Sequence, residues 1–143
     1  MTLALEDRFH LQRFVDAQGP VYEAVLGELR AGRKRSHWMW FIFPQIAGLG
    51  HSSMAQRFAI SSLDEAIAYV AHPVLGPRLR ECATLVAGTE GRSIADVFSE
   101  PDDLKFRSSM TLFARAAPAE PIFAECLRRY FGGASDPHTL ARL

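Results

Sequence analysis

Apolar residues recur every three or four positions along most of this chain, and this spacing constrains its fold more than any other feature. Three such stripes are Val21, Ala24, Val25 and Leu29; Leu79, Cys82, Ala83 and Val86; and Ile122, Phe123, Cys126, Leu127 and Tyr130. The spacing is that of one face of an α-helix, whereas strands would need a two-residue alternation that is scarce here. The sequence therefore predicts one all-α domain of about six or seven helices over residues 1–143.

Helix boundaries are signalled by glycine, proline and capping residues. Gly19-Pro20 opens one helix that Gly32 suits as a C-terminal cap. Ser62 begins a capping-box pattern, and Asp136-Pro137 pairs an N-cap with a first-position proline. The aromatic segment Trp38–Phe43 is too short for periodicity to decide between helix and strand.

Composition excludes several classes of protein. The 143 residues carry a formal net charge of zero and 48% hydrophobic residues, which favours one globular domain and argues against a general nucleic-acid binder. The N-terminus lacks the basic and apolar regions of a signal peptide, and the longest nearly apolar run, residues 38–44, is too short to span a bilayer. We therefore expect a soluble cytoplasmic protein without a membrane association.

Cysteine and histidine positions do not indicate a metal site. Cys82 and Cys126 are the only cysteines, and each lies in an apolar helical run, so we expect both to be reduced core residues. The five histidines are scattered without the spacing of paired metal ligands.

Residues 33–43, RKRSHWMWFIF, combine cations with aromatic rings. The cations Arg33, Lys34 and Arg35 suit either a solvated helix end or an anion site. Trp38 and Trp40 suit either the core or a platform for a flat ring beside a phosphate. The other residues of interest here are Ser36 and His37, of which His37 could act as a general base near neutral pH or make a structural hydrogen bond.

Two further segments could complete a site. Gln45 precedes Gly48 and Gly50 in a turn that would let the backbone approach a ligand, although the spacing matches no phosphate-loop fingerprint. In the second segment, residues 101–113, a helix would place Asp102, Lys105 and Ser109 on one face, with Ser108 at its edge. These residues could line a ligand cleft or form an ordinary surface ion pair.

Three segments, GRKRSHWMWFIFPQIAGLG, HPVLGPRLRECA and PDDLKFRSSMTLF, resemble a bacterial family of unknown function numbered 1810, whose members are sometimes labelled calpastatin. The likeness covers nearly the whole chain and implies a small, mostly helical protein, but no reaction. The family motif falls on the following residues: Lys34, Ser36, His37, Trp38, Trp40, Phe43, Pro44, Gln45, Gly48, Gly50, Asp102, Lys105, Ser108, Ser109 and Met110. A disordered calpain inhibitor would not have this compact, repeat-free composition. The chain departs from the family pattern at Ser99 and Phe106, and neither change touches a candidate polar group.

Three functions stay open on the sequence. The first is a binding domain for a small anionic ligand, nucleotide- or phosphate-containing, held by a set of polar and aromatic residues: Lys34, Ser36, His37, Trp38, Trp40, Gln45, Lys105, Ser108 and Ser109. The second is a hydrolase or transferase acting on a nucleotide-derived metabolite in the same cleft, with His37 as base and Lys105 or Lys34 stabilising charge. The third is a protein-interaction module presenting a tryptophan-rich surface. The sequence determines neither whether a cofactor is used nor the oligomeric state.

Overall fold

A computed structural model describes residues 7–143, which form an all-helical fold. Its α-helices, in chain order, are α1 Gln12–Gln18, α2 Tyr22–Arg30, α3 Met39–Ile42, α4 Ser53–Arg57, α5 Leu63–Ala71, α6 Leu75–Ala87, α7 Ile94–Phe98, α8 Asp102–Ala116, α9 Pro121–Phe131 and α10 Pro137–Leu140. A 3-10 turn, Gly19–Val21, leads into α2. The described residues thus form more helices than the expected six or seven, because one-turn helices such as α3 and α10 add to the count. The N-terminal expectation, that no signal peptide is present, falls partly on residues 1–6, which lie outside the described residues.

Side-chain caps start several helices where the sequence predicts them. The Ser62 hydroxyl accepts a hydrogen bond from the Glu65 backbone N–H at 3.2 Å, and Asp136 caps α10 by accepting one from the His138 N–H. Gly32 follows Ala31, the C-cap residue of α2, and has a φ of 74°, a conformation that glycine adopts without strain.

The start of α6 differs from the sequence expectation. Proline favours the first position of a helix, which predicts that the chain restarts as a helix at Pro77, but α6 begins two residues earlier, at Leu75. The imidazole Nδ1 of His72 accepts hydrogen bonds from the backbone N–H groups of Val74 and Leu75, at 3.1 and 3.2 Å. This histidine takes the place of a conventional capping residue, which is why sequence patterns did not reveal the boundary.

The segment that could have been strand or helix is helical. α3 is a single turn, and the chain then runs through residues 44–50, which we call the glycine loop. An isolated parallel β-bridge joins Ile46 to Ile60, with hydrogen bonds from Ala47 N–H to the Ile60 carbonyl at 2.8 Å and from Ile60 N–H to the Gln45 carbonyl at 2.9 Å. These bonds anchor the glycine loop to the chain between α4 and α5.

α8 is the central helix of the fold and packs against α5, α7, α9 and α10. Its Phe106 belongs to an aromatic cluster with Trp38, Phe43 and Phe98, whose ring centroids lie 5.0–6.4 Å apart. The buried apolar side chains form one contiguous core. Because the cluster joins α3, α7 and α8, it fixes the positions of these helices relative to one another and so of the surface residues that they carry.

Both cysteines are free and buried, as the sequence predicted. Burial raises the pKa of each thiol to about 12, so neither is a thiolate near neutral pH. Within residues 7–143, no helix has the length and apolarity that a bilayer-spanning segment needs.

Candidate functional site

Asp102, in the first turn of α8, connects two of the candidate lysines. Its carboxylate lies 3.0 Å from Lys34 Nζ and 3.5 Å from Lys105 Nζ. The Lys34 side chain is 10% exposed, its Nζ lies 5.2 Å from the Trp38 ring, and its backbone N–H donates to the Val97 carbonyl at 2.7 Å. Lys34 is therefore a partly buried ion-pair partner that fixes its segment to α8, and Lys105 is the more exposed of the two.

Glu28 on α2 holds the rest of residues 33–38, which we call the cationic segment, in place. Its carboxylate accepts hydrogen bonds from the backbone N–H groups of Arg35 and Ser36, from the Ser36 hydroxyl and from Trp38 Nε1, at 2.5–3.1 Å. Burial raises the pKa of Glu28, but these four hydrogen bonds outweigh burial and hold the pKa below its usual value. Ser36 and Trp38 therefore already have their polar groups paired within the fold.

Trp38 and His37 lie in opposite environments although they are neighbours in sequence. The Trp38 side chain is 1% exposed and belongs to the core, whereas His37 is exposed and lines neither of the clefts described below. The structure thus separates these two residues from the half-buried Trp40, which lines a cleft.

The first cleft, of about 140 Å³, lies between α3, the glycine loop, α4 and α8. Its walls are mostly apolar and include Met39, Trp40, Phe43 and Phe58. The polar residues that line it are Gln45, Gln56 and Lys105. We call this space the apolar cleft.

The second cleft, of about 600 Å³, is bounded by the glycine loop, the start of α8 and the C-terminal residues around α10. It shares Gln45, Gly48, Gly50 and Lys105 with the apolar cleft, so the two adjoin along one line of residues. Three cations line it, namely Lys105, Arg107 and Arg142, together with His138 and the single carboxylate Asp136. We call this space the cationic cleft.

The cations of this cleft are held in different ways. Arg107 donates to the backbone carbonyls of Ala134 and Ser135, at 3.0 and 2.7 Å, so its charge has carbonyl partners rather than a carboxylate. Arg142 makes no ion pair with any residue between 7 and 143. It lies against Gly48, where φ is 99° and a Cβ would come within 2.6 Å of the Arg142 guanidinium. A glycine at this position therefore allows the guanidinium to reach the cleft.

Asp136 is buried, and its charge is balanced by hydrogen bonds. It accepts from the Ser108 hydroxyl at 2.7 Å, from the Thr139 hydroxyl at 2.6 Å and from the His138 N–H at 3.3 Å. Burial raises the pKa of Asp136, but the hydrogen bonds from Thr139, Ser108 and the backbone outweigh it and lower the pKa overall. Asp136 and Ser108 thus attach α10 to α8 and form the floor of the cationic cleft.

Ser109 differs from Ser108 although both lie on α8. The Ser109 side chain is fully buried, and its hydroxyl has no hydrogen-bond partner within the described part of the chain. It lines neither cleft.

The fold therefore brings together Trp40, Gln45, Lys105 and Ser108 around the two clefts. Lys34 is connected to Lys105 because both pair with Asp102. The fold adds residues that sequence patterns did not single out: Arg107, His138 and Arg142. The Asp136-Pro137 cap predicted α10 correctly, but only tertiary packing shows that α10 returns to α8.

Comparison with known proteins places this chain among relatives without an assigned activity. No curated protein matches it. The crystal structure of the conserved hypothetical protein Rv1873 from Mycobacterium tuberculosis is similar, with 59% sequence identity, a TM-score of 0.95, and coverage of 96% of this chain and 98% of the other. The family model for proteins of unknown function DUF1810 matches residues 8–143. The chain therefore belongs to the DUF1810 family, as the sequence motifs predicted.

Proposed function

We propose that this protein binds a small anionic, phosphate-containing molecule in the cationic cleft. The observation that carries the proposal is the convergence of Lys105, Arg107 and Arg142 on one cleft whose single carboxylate, Asp136, is hydrogen-bonded to Ser108 and Thr139 and forms an ion pair with none of these cations. Guanidinium groups and ammonium groups bind phosphate by charge-assisted hydrogen bonds, which are stronger than neutral ones.

Two of these cations have the capacity to bind a ligand. Arg142 has no carboxylate partner among the described residues, and Lys105 has a 3.5 Å contact with Asp102, which also pairs with Lys34 at 3.0 Å. An entering phosphate would therefore find an unpaired guanidinium and a loosely held ammonium. The neighbouring His138 is exposed and adds donor capacity at the same rim.

Binding is better supported than catalysis by the same geometry. His37, the sequence-based candidate for a general base, is exposed and lines neither cleft. The hydroxyl of Ser108 donates to Asp136 and is buried with it, so it acts in the attachment of α10. A general base has to lie within hydrogen-bond reach of the proton it removes.

The proposal is tested by isothermal titration calorimetry with inorganic pyrophosphate. We expect saturable binding that weakens as ionic strength rises, because the attraction is between charges at an accessible surface. Arg142→Ala should weaken it by about tenfold, the loss of roughly one charge-assisted contact.

Arg115→Ala is the matched control, because Arg115 is an exposed arginine on α8 that lines neither cleft. It should leave pyrophosphate binding unchanged. An absence of saturable binding in the wild type, or an equal loss in the Arg115 and Arg142 variants, would overturn the proposal.

A further inference from the structure

The two clefts differ in chemistry and adjoin, which constrains any molecule that fills both. The apolar cleft is walled by aromatic and aliphatic side chains such as Trp40 and Phe43, whereas the cationic cleft contains Lys105 and Arg142. Their volumes, about 140 and 600 Å³, together fall within the range of small-molecule sites, about 300–1,000 Å³.

We infer that the ligand is a phosphorylated heteroaromatic compound of mononucleotide size, whose ring enters the apolar cleft while its phosphate lies in the cationic cleft. This inference rests on the proposed phosphate site and adds the second half of the ligand. Three observations support it: the character of the walls, the amide of Gln45 and the position of Trp40.

The carboxamide of Gln45 lies where the two clefts meet. Its backbone carbonyl is engaged by Ile60, so the residue has a fixed position, and its hydrogen bonds within residues 7–143 run through the backbone and not through the carboxamide. A carboxamide presents a donor beside an acceptor, which matches the edge of a heterocycle that carries an acceptor beside a donor, as adenine does. A purely apolar ring would make no use of this amide.

Trp40 supplies the aromatic wall. It is half-buried on α3 and lines the apolar cleft, as does the nearly fully buried Phe43. α3 is held from below by the aromatic cluster around Phe43 and Phe106, whose ring centroids are 5.0 Å apart. An indole in a fixed position is a suitable stacking surface for a heteroaromatic ring.

The test compares three probes by calorimetry: adenosine 5′-monophosphate, ribose 5-phosphate and pyrophosphate. Adenosine 5′-monophosphate should bind at least about tenfold more tightly than ribose 5-phosphate, since stacking and the amide contact are added. Gln45→Ala should remove the contribution of the amide contact to that advantage, so adenosine 5′-monophosphate should lose more affinity than ribose 5-phosphate does, and an equal loss for both probes would contradict the amide contact.

Tryptophan fluorescence locates the ring independently, because the chain has only two tryptophans and Trp38 is buried. Adenosine 5′-monophosphate should quench the emission of the wild type, and Trp40→Phe, which keeps an aromatic wall, should abolish the quenching. Persistent quenching in that variant would overturn the inference.

The outcomes separate this inference from the proposed function. If pyrophosphate and ribose 5-phosphate bind but adenosine 5′-monophosphate is no tighter, the ring site is wrong and the phosphate site stands. If none of the three probes binds, both are wrong.

Discussion

The cationic segment at residues 33–38 and the pair of clefts beside α8 contain similar side chains in different states. In the cationic segment, Glu28 accepts four hydrogen bonds, from the backbone N–H groups of Arg35 and Ser36 and from the side chains of Ser36 and Trp38, and Asp102 pairs with Lys34. In the clefts, Arg142 has no ion-pair partner among the described residues, and the amide of Gln45 stays unengaged.

The difference shows that a concentration of charge and aromatic rings does not by itself make a site. Polar groups that already have partners within the fold stabilise it, because breaking a buried pair costs more than the pair contributes. Groups at a concave surface without such partners are the ones that a ligand can use. We therefore expect substitutions in the first region to lower the free energy of unfolding and substitutions in the clefts to weaken ligand binding.

The largest expected effect is on folding and comes from Trp38. Trp38→Ala should lower the free energy of unfolding by about 3–5 kcal/mol, because it opens a cavity in the aromatic cluster and removes one of the four hydrogen bonds to the Glu28 carboxylate. Urea denaturation measures this loss. Trp38→Phe, which keeps most of the volume, should lose less, and equal midpoints for wild type and both variants would contradict the prediction.

Glu28→Gln should lower stability by about 2–4 kcal/mol at pH 7, because it replaces a carboxylate acceptor of four hydrogen bonds with a group that also donates. The folded-state pKa of Glu28 is lowered, so its contribution is present above its ordinary pKa near 4.5 and is lost as pH falls through the folded-state value. The gap between wild type and variant should therefore narrow as pH falls below about 4.5 toward the lowered folded-state pKa. A gap that is constant over this range would exclude the proposed role of the charge.

Lys34 and Lys105 provide the sharpest comparison, since both pair with Asp102. Lys105→Met should weaken pyrophosphate binding by about tenfold and change the free energy of unfolding by less than about 0.5 kcal/mol. Lys34→Met should do the reverse, with a stability loss of about 1–2 kcal/mol and a smaller effect on binding, because its ammonium is the more buried. Calorimetry and urea denaturation of both variants measure the two effects. If Lys34→Met weakened binding and Lys105→Met lowered stability, our assignment of stability and binding to the two regions would be wrong.

Asp102→Asn should tighten pyrophosphate binding by about threefold. Asp102 holds its charge 3.5 Å from Lys105 Nζ, and two unit charges of like sign about 6 Å apart repel each other by about 0.7 kcal/mol at the dielectric constant of water. The titration should be repeated at high salt, where the gain should shrink. Weaker binding in this variant would mean that Asp102 orients Lys105 for the ligand rather than competing with it.

The smallest expected effect is at His37. His37→Ala should change the free energy of unfolding by less than about 0.5 kcal/mol and leave pyrophosphate binding unchanged, because the side chain is exposed and lines neither cleft. A large loss of pyrophosphate binding would instead place the binding site in the cationic segment.

The sequence predicts the helices well because their signals are local. The capping serine Ser62 and the Asp136-Pro137 pair each depend on neighbours within a few residues, and the structure has the helices they predict. His72, which accepts hydrogen bonds at the start of α6 with its ring nitrogen, is not one of the usual capping residues, so local signals point to Pro77 and not to Leu75.

The site depends on long-range packing, which spacing does not encode. Lys105 and Gln45 were identified from local pattern and line both clefts, but Arg142 lies near the end of the chain with no motif around it. Its role follows only from the return of α10 to α8 through Asp136 and Ser108. The partners of the Lys34, Ser36 and Trp38 side chains, Asp102 and Glu28, are likewise visible only in three dimensions.

The most direct test of the contrast between the two regions is a titration of the ¹⁵N-labelled protein with pyrophosphate, followed by two-dimensional NMR. We expect the backbone amide signals of the glycine loop, Lys105, His138 and Arg142 to shift with one common saturation curve. The chemical shifts of Arg35, Ser36 and His37 should not change. Shifts concentrated at residues 33–38, with the glycine loop and α10 unaffected, would contradict it.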